Sequence, residues 1–316
     1  MEENRSFDLN KMEVTGPEIS SEVQEPQLKF RARTFFIPLL FGLIYVLIQA
    51  FSAVAYIFAV HSKQLLGLEG EDVKVQLKLL LLDGNINVYS TFIMAALIIP
   101  IFYFFIKKRS VRYPGSLLQG PIERRSLLSS IAATTIGILG VNLLITVLTL
   151  MGTQVPYIQT KFDEYERLIN LIIPGNVSPL LNLLSVVILV PICEELLFRG
   201  VMMGEFMLAM KKPYAAILTG LVFALFHGNF IQSSYVLIPG LILSFAYYLT
   251  GSLKVPIILH CWFNFFGGFL PSILEADKVD GSGAVTYGTI MIVSYVISIV
   301  YLIYAAYKRS RSRQVA

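Results

Sequence analysis

The sequence predicts an all-α polytopic membrane protein, a helical bundle with about eight transmembrane helices. Of its 316 residues, 55% are hydrophobic and only 15% are charged, whereas a soluble domain is about 45–50% apolar and about 25% charged. The mean hydropathy is +0.69, and the apolar residues come in blocks longer than the core helices of soluble proteins. This composition excludes a soluble enzyme, a nucleic-acid-binding module and a disordered scaffold.

Eight apolar blocks are candidates for membrane spans, because crossing the hydrocarbon core takes about 20 mostly apolar residues. In chain order they cover residues 34–60, 86–106, 127–151, 178–198, 213–228, 231–250, 254–272 and 287–307. The fifth block holds only 16 residues, so it needs flanking helix or a loop that protein shields from lipid. Outside the blocks, the mixed run 157–172 fits either an amphipathic helix along the membrane surface or a plain loop.

The basic residues predict that both termini face the cytoplasm. With the N-terminus inside, the cytoplasmic segments hold 19 of the 25 lysines and arginines, and such an excess marks the cytoplasmic side. The first apolar block is too long and starts too late to be a cleaved signal peptide. The chain then divides into a disordered cytoplasmic tail at 1–33, membrane helices with interfacial segments at 34–177, a core at 178–272, and a last membrane helix with a basic tail at 273–316.

Two adjacent carboxylates lie deep inside the fourth block. Away from the span ends, Glu194 and Glu195 are the only fully charged residues, and each carboxylate at mid-bilayer costs about 2.5–3.5 kcal/mol on insertion scales. Glu195 can pair with Arg199 on one helix face, which leaves Glu194 unpaired and suited to act as a general base. A structural salt bridge would explain the pair but not the second carboxylate. Pro191, just before them, predicts a kinked helix.

Two of the three histidines also lie inside the apolar blocks. His227 shares a helix face with Phe223, and His260 shares one with Asn264, because residues four apart lie above one another. A buried histidine often only satisfies a backbone carbonyl, and asparagine can join two helices. Two histidines in the same part of the chain as the glutamate pair nevertheless favour a functional site. His61 is predicted to lie on the surface.

These residues form a three-part pattern: Glu194-Glu195-Leu-Leu-Phe-Arg199, Phe223-Ala-Leu-Phe-His227 and His260-Cys-Trp-Phe-Asn264. With Gly251-Ser252-Leu253 just ahead of its last part, the pattern closely resembles that of the CAAX-protease and bacteriocin-processing family of intramembrane proteases, the Rce1-like or Abi family. The resemblance covers roughly residues 180–272 and departs from the family pattern at no charged or amide position.

The resemblance implies an intramembrane endopeptidase whose substrate is a membrane-associated peptide or protein, such as a prenylated CAAX-type protein or a bacteriocin-like peptide. Glu194 and His227 would activate a water molecule, and His260 and Asn264 would donate hydrogen bonds to the oxyanion that forms. The supporting residues would be Glu195, Arg199 and Phe223. The bilayer is the other expected partner, whereas nucleic acid is not expected and the sequence leaves the oligomeric state open.

A metal ion is not required in the favoured interpretation of this site. Glu194, His227 and His260 could still ligate a divalent ion such as Zn²⁺, although the sequence contains no H-E-x-x-H pair. Other membrane-protease chemistries fit less well, because the chain has neither a G-x-S-G run nor an aspartate inside the spans. Cys193 and Cys261 are predicted to be small buried hydrophobic residues.

Two functions without proteolysis compete with the endopeptidase. One is an immunity or scaffolding protein that keeps the site but catalyses nothing. The other is a proton-coupled transporter, although transporters usually show internal repeats and the sequence shows none.

Residue counting along the helices leaves the depth of His260 unexplained. At 1.5 Å per residue, Glu194 and His227 lie roughly 22–26 Å from the Lys211–Lys212 turn, and His260 lies roughly 13 Å from Gly251. Straight perpendicular helices would therefore leave His260 about 10 Å short of the other two residues. A tilted helix, a short sixth helix or a shielded loop at 228–236 could each close this gap.

Overall fold

Ten helices make up the part of the chain that the structure, a computed structural model, describes: residues 32–109, 122–172, 177–276 and 281–314. They are α1 Arg33–Leu66, α2 Glu71–Leu82, α3 Gly84–Arg109, α4 Arg124–Gly152, α5 Pro156–Ile172, α6 Pro179–Ala209, α7 Lys212–Leu225, α8 Phe230–Thr250, α9 Lys254–Ala276 and α10 Ser282–Gln314. The described ranges contain no β-strand. The predicted disordered tail falls almost entirely outside them.

Seven of the ten helices in these ranges are long and apolar enough to cross a membrane: α1, α3, α4, α6, α8, α9 and α10. The prediction of a polytopic helical membrane protein is therefore confirmed. The fifth predicted block, 213–228, is the exception to the count of eight. It forms α7, whose 14 residues extend about 21 Å at the ordinary helical rise, less than the roughly 30 Å hydrocarbon core.

The short helix α7 turns back inside the bundle. It ends at Leu225, and the chain reverses through Gly228, whose φ of +67° is readily adopted only by glycine. The side chain of Asn229 then accepts a hydrogen bond from the amide of Gln232 and caps the start of α8. His227 consequently lies in a turn at the closed end of the α7–α8 hairpin.

Two glycines allow α7 and α8 to pack closely together. A Cβ atom added to Gly240 on α8 would lie 2.9 Å from the carbonyl oxygen of Gly220 on α7 and 3.0 Å from Cδ1 of Phe223. Small residues at helix contacts let the backbones of membrane helices approach each other. This contact brings the backbone of α8 within reach of α6 as well.

Helix α6 changes its hydrogen-bonding pattern on both sides of the glutamate pair. It is π-helical over Leu183–Leu189 and again over Leu196–Met202, with an α-helical stretch, Val190–Glu195, between them. Pro191 lies in that stretch and has no N–H to donate, so the wider helix before it accommodates the break. Such π-helical turns occur frequently at functional sites.

The run 157–172, left open by the sequence, is helical and forms α5. This helix packs against α4 and α8, and the hydroxyl of Tyr165 lies 2.9 Å from that of Tyr235 on α8. Helix α1 packs along α3, and α10 packs along α4. The core lies around α6, where every residue of Leu196–Met202 is buried.

Candidate active site

A buried ion pair between α6 residues stands at the centre of the bundle. The side chains of Glu195 and Arg199 are both fully buried, and Nη1 of Arg199 donates to Oε1 of Glu195 over 2.7 Å. Nη2 of the same guanidinium donates to the carbonyl oxygen of Gly240 at 2.7 Å and to Oγ of Ser244 at 3.3 Å. The guanidinium carbon also lies 4.7 Å from the centre of the Phe223 ring, within cation–π distance. The predicted pair thus joins α6 to α7 and α8.

His260 on α9 contacts both glutamates. Its Nδ1 lies 2.8 Å from Oε1 of Glu195, and its Nε2 lies 3.7 Å from Oε2 of Glu194. Because an ionised carboxylate can only accept, the Nδ1 atom carries the proton that is donated to Glu195. The ring also stacks edge-to-face on Phe223, with the ring centres 5.6 Å apart.

His260 thus reaches Glu194, and the gap of about 10 Å that straight perpendicular helices would leave is closed in the structure. The residue count assumed straight helices with a uniform rise of about 1.5 Å per residue. The structure departs from that assumption on one of the counted paths, since the π-helical stretch Leu196–Met202 lies between Glu194 and the Lys211–Lys212 turn.

Glu194 is the carboxylate that faces open space. Its side chain keeps 18% of its surface exposed, whereas that of Glu195 keeps none. It lines a cavity of about 700 Å³, together with His227, His260 and Asn264. The structure therefore brings all four residues predicted to be catalytic to the wall of one cavity.

His227 is oriented by the end of α7. Its Nδ1 lies 3.0 Å from the carbonyl oxygen of Phe223, one helical turn earlier. A carbonyl oxygen can only accept, so Nδ1 carries a proton and the neutral ring keeps its lone pair on Nε2. A histidine in this tautomer can take a proton at Nε2 from a water molecule in the cavity.

Asn264 is tied to the backbone of α6, so its amide joins two helices, the alternative that the sequence left open for it. Its Nδ2 donates to the carbonyl oxygen of Val186 over 3.0 Å. In the helix, the amides four and five residues later would compete for this oxygen. These two residues are Val190 and Pro191. The amide of Val190 bonds to the carbonyl of Ser185 instead, and Pro191 has no N–H. The proline thus leaves Val186 available to hold the Asn264 amide at the cavity wall.

Neutral polar side chains form much of the remaining cavity wall, and the sequence analysis did not single them out. They are Tyr45 and Gln49 on α1, Asn87, Ser90 and Thr91 on α3, Asn142 on α4, Tyr165 on α5, Ser185 on α6, and Gln232 and Tyr235 on α8. Such residues cost far less in a membrane than charged ones, so composition gives no signal for them. Their common position becomes visible only when the helices are assembled.

The metal-binding residues suggested by the sequence do not form a ligand cluster. In the described ranges, no group of three histidine, cysteine, aspartate or glutamate side chains is arranged to hold an ion. Nδ1 of His227 is bonded to Phe223 and Nδ1 of His260 to Glu195, so Nε2 of each ring is the atom that a metal would use. A zinc site takes three or four converging ligands, and the described residues form no such group.

The residues predicted to have no chemical role lie apart from the cavity wall. Cys193 is fully buried and Cys261 is partly buried, and neither forms a disulfide. His61 is partly exposed near the end of α1, with its Nδ1 3.3 Å from Oε1 of Gln64. None of the three lines the cavity.

The apolar helices and the cavity together define a multi-pass membrane protein with carboxylate, imidazole and amide groups on one internal wall. Residues 176–266 match the family model of the Type II CAAX prenyl endopeptidase Rce1-like proteins. The chain therefore carries an Rce1-like domain, and the resemblance seen in its sequence motifs is confirmed. All the predicted site residues, from Glu194 to Asn264, fall inside the matched stretch.

A curated relative from Escherichia coli, described as an uncharacterized 24.3 kDa protein, is 35% identical to this chain over 90 residues. The matched stretch is 26% of this chain and spans 40% of that relative's length. No solved structure matches the chain.

Proposed function

We propose that this protein is an intramembrane endopeptidase that hydrolyses a peptide bond of a membrane-associated substrate in the 700 Å³ cavity. The Rce1-like domain supports this activity. The observation that carries the proposal is the position of Glu194: an accessible carboxylate beside His260, at 3.7 Å from its Nε2. Proton transfer from water by a positioned side chain contributes about 10²–10⁴-fold to the rate of such reactions.

In this mechanism, Glu194 and His227 act on the same water molecule. One of them takes a proton as the water oxygen bonds to the carbonyl carbon of the substrate, and the carbonyl oxygen becomes an oxyanion. The captured proton is then transferred to the amide nitrogen, and the carbon–nitrogen bond breaks. The Nε2 lone pair of His227 and the carboxylate of Glu194 are both acceptors on the cavity wall, as this step requires.

His260 and Asn264 supply the hydrogen bonds that stabilise the oxyanion. Since Nδ1 of His260 already donates to Glu195, its Nε2 can donate only when the ring is an imidazolium. Glu195 is paired with Arg199, so Glu194 is the carboxylate left to pair with His260 when its ring is in that form. Asn264 uses one amide hydrogen on Val186 and has a second hydrogen for the oxyanion.

The supporting residues keep this arrangement fixed. Glu195 orients the His260 ring, Arg199 holds Glu195 against α8, and Phe223 packs on Arg199, His227 and His260. A metal ion has no role in the proposed reaction, because the side chains provide both the proton acceptors and the oxyanion donors.

The test compares purified wild type with Glu194→Gln on a library of membrane-anchored peptides. We expect the variant to lose about 10²–10⁴-fold in kcat while it keeps its fold. Glu69→Gln is the control, because it makes the same substitution at an exposed carboxylate in the turn after α1, away from the cavity. Equal cleavage by wild type and Glu194→Gln would remove Glu194 from the mechanism. Cleavage by neither would favour the immunity or scaffolding function.

A further inference from the structure

The cavity occupies only one half of the bundle. On α3, α4 and α6, its lining residues come from a single half of each helix: Gly84 to Met94, Ile138 to Ile145, and Ser185 to Glu194. These halves all point to the end of the bundle where α3 and α6 begin and α4 ends. Tyr165 of α5, the helix that joins α4 to α6 at this end, also lines the cavity. We call this the cavity end.

The other end of the bundle carries the clustered basic residues, and we call it the basic end. These residues are Lys107, Lys108 and Arg109 at the end of α3, Arg124 and Arg125 at the start of α4, Lys211 and Lys212 between α6 and α7, Lys254 at the start of α9, and Lys308 and Arg309 near the end of α10. An excess of lysine and arginine marks the cytoplasmic side of a membrane protein.

Between the cavity and the basic end, the described part of the bundle is solidly packed. On α6, every residue from Leu196 to Met207 is buried. This half also contains Glu205, whose side chain has no exposure and accepts from Nε of Arg109 over 2.8 Å. A substrate coming from the basic end would have to break this core and its buried ion pair, which is strongly destabilising.

The chemistry of the cavity wall indicates what it can bind. Apart from the site residues, the polar groups on the wall are amides and hydroxyls, such as those of Gln49, Asn87, Thr91, Asn142 and Gln232. These groups both donate and accept hydrogen bonds, as do the N–H and C=O groups of an extended peptide. The described lining contains no lysine or arginine to pair with a carboxylate.

The geometry points to a substrate that enters from the cavity end, the extracytoplasmic face of the membrane, as an uncharged stretch within a membrane-associated peptide. This inference rests on the proposed endopeptidase function and restricts its substrate. A cytosolic protein with a prenylated C-terminus would approach from the basic end, and its terminal carboxylate would lie only three residues from the modified cysteine. The cavity wall therefore fits an internal segment of an exported or secreted peptide better than it fits a charged C-terminus.

Thiol labelling tests the direction of entry without requiring any cleavage. Single cysteines are placed in a background that carries Cys193→Ala and Cys261→Ala, and a membrane-impermeant charged maleimide is applied to right-side-out and to inside-out vesicles. Asn87→Cys and Gln232→Cys report on the cavity. Glu69→Cys, in the exposed turn after α1, and Ser310→Cys, exposed near the end of α10, mark the two ends.

We expect Asn87→Cys and Gln232→Cys to be labelled in right-side-out vesicles together with Glu69→Cys, and not from the side that labels Ser310→Cys. Met203→Cys, at a fully buried position in the packed half, is the control and should react from neither side. Labelling of the cavity cysteines from the side of Ser310→Cys, or from neither side, would overturn the inference. Labelling of Glu69→Cys only in inside-out vesicles would also overturn it, because the cavity end would then be cytoplasmic.

The outcome separates this inference from the proposed function. Adding Glu194→Gln to the labelled variants should leave the labelling pattern unchanged, since entry does not depend on catalysis. Labelling as expected with no proteolysis of any anchored peptide would refute the endopeptidase and retain the entrance. In right-side-out vesicles that hold active protein, a neutral peptide anchored only in the outer leaflet should be cleaved. Cleavage only of a peptide anchored in the inner leaflet would contradict the inference.

Discussion

Replacing Gly240 by alanine tests whether the close contact of α7 and α8 builds the site. The added Cβ would lie 2.9 Å from the carbonyl oxygen of Gly220 and 3.0 Å from Cδ1 of Phe223. The first of these atoms belongs to the backbone of a packed helix and cannot rotate away. The two helices must therefore separate by several tenths of an ångström, and overpacking of this kind costs about 1–3 kcal/mol.

The same separation should weaken the site, because the carbonyl of Gly240 accepts from Arg199 over 2.7 Å. Moving that carbonyl loosens the guanidinium, then Glu195, and then the ring of His260. We expect Gly240→Ala to lower the thermal unfolding temperature in detergent and to reduce kcat more than it raises KM. The effect on kcat should remain when activity is normalised to folded protein.

Gly140→Ala is the matched control for this experiment. Gly140 lies within α4, and a Cβ atom there would meet only Cδ1 of Ile238 at 3.7 Å, an ordinary contact. Glycine within a helix is less favourable than alanine by about 0.5–1 kcal/mol, so this variant should be as stable as wild type or more stable. If Gly240→Ala behaved like Gly140→Ala in both stability and kcat, the glycine contact would have no part in organising the site.

Three further perturbations address single contacts. Asn264→Ala removes an oxyanion donor and should lower kcat by about 10²–10³-fold with little change in KM; a change confined to KM would contradict this role. Arg199→Met leaves the carboxylate of Glu195 buried without its ion-pair partner and should lower the free energy of unfolding by about 3–5 kcal/mol. Arg199→Lys keeps the charge but not the planar fork, so it should lower the free energy of unfolding by less. Treatment with a zinc chelator, followed by dialysis, should leave the cleavage rate unchanged, and recovery of a lost rate by added Zn²⁺ would refute the metal-free mechanism.

The charged part of the site could be predicted from the sequence because lipid makes such residues conspicuous. Glu194, Glu195 and Arg199 cost several kcal/mol inside a bilayer, so their presence in an apolar block required an explanation. The i, i+4 spacing then correctly predicted the pairing of Glu195 with Arg199. His227, His260 and Asn264 stood out as polar residues inside apolar blocks, the resemblance to known proteases implied their roles, and the structure places them at the same cavity.

The neutral part of the site and the lengths of the helices could not be predicted in the same way. Tyr45, Asn87 and Gln232 come from three helices that are far apart in the chain, and each is an unremarkable residue in its own segment. Apolar composition also could not show that α7 stops at Leu225, because the residues up to Phe226 remain hydrophobic. What ends the helix is the turn through Gly228, whose φ is +67°.

Pro191 shows how a local rule and the assembled structure combine. From the sequence, proline predicts only that a backbone hydrogen bond is lost and the helix disturbed. In the bundle, the amide of Val190 donates to the carbonyl of Ser185 at the end of the preceding π-helical stretch. The carbonyl of Val186 is then the acceptor for Asn264. A break in one helix thereby fixes a side chain of another helix at the cavity wall. The residue that most disrupts α6 is thus also a residue that positions the amide proposed to stabilise the oxyanion.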